Sequence, residues 1–190
     1  MTAGWQISSE IEEPFREALD HAAKRRVDEL RAMPDRLSNE QIASTVGLCA
    51  FVSAYTAIDV VERRWPSDAG VRRMAERTVE GVEEDRPYGV TEENVYLWLS
   101  KVALGFKTYA EVFGDRFDDP RDFYAAPFFL TINFVATFIP KDKSLGDFLD
   151  IIEDAYERAW VTDLNLLPAL MVRARMPQPE AASDGSGGSR

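Results

Sequence analysis

Two stretches of this chain, residues 42–58 and 123–139, each run for 17 residues without a charged side chain, although 29% of all residues are Asp, Glu, Lys or Arg. A helix that is apolar around its whole circumference has no face suited to water, so it must lie inside a fold or inside a bilayer. A spanning helix needs about 20 predominantly apolar residues. Both stretches fall short of that, and they carry Ser44, Thr45, Gly47, Ser53 and Thr56 in one and Pro127, Thr131, Asn133 and Thr137 in the other. They read as central helices of a bundle, and no membrane partner is expected.

The rest of the chain supplies helices to surround them. Pro14 suits a first turn, and Phe15, Leu19, Ala22, Ala23, Leu30 and Met33 follow at helical spacing until Pro34, which predicts a helix over about 14–32. Ser38 with Gln41 has the spacing of a capping box, so the first central helix spans about 38–64. Ser67 or Asp68 caps a surface helix with a stripe of Val71, Met74, Ala75, Thr78, Val79 and Val82. Thr91 caps a second nearly all-apolar helix, about 91–113, whose Trp98, Leu99, Val102, Phe106 and Tyr109 point in most directions, with Gly114 as its C′ residue. Asp119-Pro120 opens an aromatic helix over about 120–139 that Pro127 should break or kink, freeing backbone carbonyls. Ser144 to Asp147 caps a further helix, and a last helical piece is predicted near 163–175. No segment longer than five residues alternates at period two, so the expectation is an all-α bundle of six or seven helices. It forms one domain over 1–175, and residues 176–190, rich in Pro, Gly and Ser, form a disordered tail.

Charge narrows the partners. With 33 acidic and 22 basic residues the formal charge is −11, which repels phosphate backbones and anionic lipid. Residues 37–48 resemble the first helix and turn of the helix-turn-helix in bacterial repressors. A reading helix must present polar and basic groups to bases and phosphates, whereas residues 49–61 offer only Ser53, Tyr55, Thr56 and Asp59 among apolar neighbours. No nucleic acid is expected. One cysteine, Cys49, and an acidic N-terminus without a leader pattern point to a reducing, cytoplasmic setting.

Catalytic chemistry finds little to work with. A di-metal carboxylate bundle requires two Glu-x-x-His pairs, and the chain has one histidine, His21, which faces Glu17 across one helical turn. Cys49 lies in an apolar stretch with no base nearby in sequence. Carboxylate pairs such as Glu153 with Glu157 have the spacing of a solvated helix face. No catalytic residue, metal ligand or cofactor is implied. The remaining candidates are large aromatic and polar groups on the inner helices, Tyr55, Asp59, Trp98, Tyr124, Phe128, Asn133 and Phe134, which either fill a core or line a pocket.

The resulting expectation is a non-catalytic protein acting through a protein partner or through self-association as a homo-oligomer. Its rival is a helical binding domain for a small apolar ligand, held between the helices at 38–64, 91–113 and 120–139 and similar in architecture to the effector domains of bacterial repressors. An enzyme using carboxylates and tyrosines is the third reading.

Overall fold

Local capping chemistry sets where most of the described helices of this protein begin. In the computed structural model, which describes residues 7–105 and 107–158 with the side chains of 155–158 excepted, the chain is all-α. The expected helix near 163–175, the tail and Phe106 lie outside the described residues. Ser38 Oγ accepts the Gln41 amide while the Gln41 side chain accepts the Ser38 amide, which starts α3 (Asn39–Tyr55). Ser67 caps α4 (Asp68–Val79), Thr91 caps α5 (Glu92–Leu97), and Asp119 with Pro120 opens α7 (Pro120–Phe138). Ser144 and Asp147 cap each other at the start of α8 (Leu145–Arg158).

Where helices stop differs from the expectation. The first helix begins at Ser9, five residues before Pro14, and ends at Ala23 as α1; a short α2 (Val27–Ala32) follows. The break is a Schellman turn, with Arg26 N bonded to His21 O at 2.8 Å and Arg25 N to Ala22 O at 3.1 Å. Arg25 takes the left-handed conformation there, φ 53°, in a place where glycine is usual. Its Nε donates to Asp85 at 2.9 Å, so an ion pair to a distant segment holds a turn that local sequence does not announce.

Two of the inner helices, α3 and α5, continue as π-helical turns. Beyond Tyr55, α3 winds wider over Thr56–Glu62 until Arg63, also left-handed, ends it. Beyond Leu97, α5 does the same over Trp98–Ala103, closing with Leu104 N on Leu99 O at 2.9 Å. The expected single helix over 91–113 is therefore two. A Cβ on Gly105 would sit 2.3 Å from the Lys101 carbonyl, so only glycine lets the chain turn there. Thr108 and Glu111 then form a second capping box that starts α6 (Tyr109–Phe113).

Pro127 does not break α7, which runs through it, and Pro14 likewise sits inside α1. A proline has no N–H, so the carbonyl four residues before it loses its usual donor. Both orphaned carbonyls are claimed from another element: the Gln41 side-chain amide donates to Glu10 O at 3.0 Å, and the Tyr109 hydroxyl donates to Phe123 O at 2.9 Å.

At the centre α3 lies along α7, with α1 against both; α4 and α5 pair with each other and both touch α7, and α8 packs on α3. Arg16 ties α1 to α8 through Asp150 at 2.6 Å and Glu153 at 2.5 Å. Among the described residues one helix, Asn39–Glu62, is long and apolar enough to cross a bilayer, and 67% of its apolar window is buried in the protein.

Candidate functional site

Four of the five aromatic residues singled out in sequence, Trp98, Tyr124, Phe128 and Phe134, are buried in the core. Trp98 is fully buried, and its Nε1 donates to Ser53 Oγ at 2.9 Å; Ser53 in turn donates to Cys49 O at 2.9 Å and lies 3.2 Å from Thr131 Oγ1. Polar groups on three helices thus satisfy one another away from water, which pins the register of α3, α5 and α7. Phe128 and Phe134 are buried completely. Tyr124 stacks obliquely on Phe128, ring centres 5.1 Å apart, and burial pushes its phenol pKa up. Tyr55 is half-buried, edge-on to Phe148, and Asp59 is half-buried in the π-helical turn after it. Asn133 satisfies its own amide by donating to Phe129 O at 2.9 Å, one turn back.

Two clefts open between the helices, the first of them over a line of small side chains on α3. The first holds about 290 Å³ between α3, the 107–110 segment and the start of α7. Its floor is a line of Ile42, Ala43, Val46, Gly47 and Ala50 along α3, and Val102, Tyr109 and Phe123 form the opposite wall. Tyr109 is the keystone of that wall. Its ring lies 4.6 Å from Phe123, 4.9 Å from Phe113 and 5.8 Å from Trp98, and its hydroxyl is held by the carbonyl that Pro127 releases. Burial pushes the Tyr109 pKa far above the phenol range, so the group stays neutral. Asn39, Thr108 and Lys107 supply the polar rim, and among the described residues Lys107 is the only charged one in the lining.

A second cleft of about 360 Å³ is bordered by Arg25, Asp85, Ile132, Asn133, Lys143 and Leu145. Asp85 is 3% exposed, and its partner Arg25 closes over it. This arrangement is a structural ion pair with a solvated rim.

The chemistry of the remaining candidates is quiet. Glu17 is claimed by Arg36 at 2.5 Å, which holds its carboxyl below the usual range, and His21 Nε2 stands 3.4 Å from the same oxygen. Cys49 is fully buried, and burial raises its thiol pKa, so no thiolate forms near neutral pH. Among the described residues no three His, Cys, Asp or Glu side chains are grouped so as to hold a metal ion.

Sequence reasoning passed over the first cleft because it followed bulk. The signals were present: the small residues Ala43, Gly47 and Ala50 on one side of α3, the Thr108-x-x-Glu111 capping box, and the four-residue offset from Pro127 to Phe123. Comparison with known proteins returns no similarity, since no family model matches the chain and no curated protein or solved structure resembles it significantly.

Proposed function

We propose that this protein is a non-catalytic helical binding domain that takes a small apolar molecule into the cleft between α3, the 107–110 segment and α7. The observation that supports this reading is the lining itself: an apolar hollow of about 290 Å³ with a short polar rim, near the lower bound of about 300 Å³ for small-ligand sites. Self-association is supported less. Among the described residues Trp65, at 45% exposure, is the only large apolar side chain left open to solvent, and isolated exposed apolar residues are ordinary on protein surfaces. Carboxylate and tyrosine catalysis has still less behind it, since the buried phenols are weakened as acids and Asp85 and Glu17 are engaged by arginines.

The test is titration of the full chain with toluene, a neutral probe, followed by heteronuclear NMR. Saturable shifts confined to residues of the cleft are expected. Ala43, exposed at the mouth, offers a blocking variant that leaves the core intact; Ala43→Trp should abolish the shifts with an unchanged melting midpoint. Absence of saturable binding, or binding indifferent to Ala43→Trp, would overturn the proposal.

A further inference from the structure

We infer that the ligand class of this cleft is a medium-chain carboxylate, an apolar chain of about eight to ten carbons whose anionic head meets Lys107. The inference rests on the binding reading above and adds the head group and the length.

The charge argument is local. A chain with a formal charge of −11 repels anions at a distance, so an anionic ligand requires a cation placed at the site itself. Lys107 is that cation: it is exposed at the rim, and among the described residues it is the only charged residue of the lining and makes no ion pair. The acid nearest in sequence, Glu111, is held in the α6 cap, where its carboxylate accepts from Thr108 N at 2.7 Å and Thr108 Oγ1 at 2.9 Å, and it acts on Lys107 through space without forming an ion pair, so the ammonium keeps its donors for a ligand. The Lys107 backbone is anchored by its amide on Lys101 O at 3.1 Å, which keeps the side chain at the mouth. Asn39, across the rim, adds an amide donor for a carboxylate oxygen.

The length follows from volume. Benzene fills a cavity of about 150 Å³, or about 25 Å³ per heavy atom, so a hollow of about 290 Å³ holds about ten to twelve heavy atoms. Octanoate and decanoate span that range. The wall that stops the chain is the Tyr109–Phe123 pair, whose rings are 4.6 Å apart and fixed by the hydroxyl bond to Phe123 O.

The experiment is calorimetric titration of the full chain with hexanoate, octanoate, decanoate and dodecanoate, each below its micellar concentration, and with 1-octanol and octylamine. Affinity should rise about fourfold per methylene up to eight or ten carbons and then level off. Octanoate should bind about tenfold more tightly than octanol, with the advantage shrinking in high salt. Lys107→Gln should erase that advantage while leaving octanol binding and the melting midpoint unchanged. Equal binding of octanoate and octanol, preference for octylamine, or an octanoate affinity untouched by Lys107→Gln would overturn the head-group assignment while the apolar cleft stands. If toluene and octanol also fail to bind, the binding reading itself falls.

Discussion

Replacing Tyr109 by Phe should destabilise this protein by an amount that depends on a proline in another helix. The Tyr109 hydroxyl donates to the Phe123 carbonyl at 2.9 Å, and that carbonyl is available because Pro127, four residues on, has no N–H to offer it. Tyr109 is 6% exposed and the bond is partly buried, so Tyr109→Phe leaves the carbonyl without a protein donor, at about 1–3 kcal/mol. In a Pro127→Ala background the alanine N–H restores the helical bond to Phe123 O, and the same Tyr109→Phe change should then cost under about 1 kcal/mol. The coupling energy from the double-mutant cycle is expected at about 1 kcal/mol or more, which urea unfolding followed by circular dichroism resolves. Equal costs of Tyr109→Phe in the two backgrounds would show that the proline does not create the acceptor, and the account of this wall would fail.

Alkaline pH should destabilise the fold. Cys49, Tyr109 and Tyr124 all have pKa values raised by burial, so the unfolded chain releases their protons first, from about 8.5 for the thiol and about 10 for the phenols. The native state then holds more protons than the unfolded one, and stability falls as pH rises above about 9, approaching about 1.4 kcal/mol per pH unit for each ionising group. Urea midpoints that stay constant from pH 8 to 11 would contradict this. Arg25→Gly should exceed Arg25→Ala in stability by about 1 kcal/mol, because glycine accepts the left-handed turn, and both should fall below the parent for leaving Asp85 without its partner; thermal melts of the three proteins decide the order. Val52→Asp places an unpaired charge at a buried position of α3 and should prevent folding, so a soluble variant with a cooperative melt would refute the central placement of that helix.

The two interior prolines show a shared solution to one problem. A helix that accommodates proline exposes a carbonyl, and each is claimed by a side chain of a different element, Gln41 for Glu10 and Tyr109 for Phe123. In the second case the clasp also builds the wall of a cleft. Gln41 serves twice, since it also completes the cap of α3, so α1 is stitched to the same end of α3 that floors the cleft.

What the amino-acid order determined unaided is the all-α class, the burial of α3 and α7, and the starts of α3, α4, α5, α7 and α8. The physical reason is range: a cap is a bond between residues two or three apart, and an uncharged helix has nowhere to go but inward. Helix ends were decided elsewhere. Arg25 adopts a glycine-like conformation because Asp85, 60 residues away, receives its side chain. The widening of α3 and α5 into π-helical turns accompanies the packing of these segments against other helices. The site followed the same division. Trp98, Tyr124, Phe128 and Phe134 were conspicuous in sequence, yet large side chains fill the space between helices. Room is left where Ala43, Gly47 and Ala50 face the 107–110 segment, and that juxtaposition arises only once Gly105 turns the chain and Pro127 frees the carbonyl that fixes Tyr109.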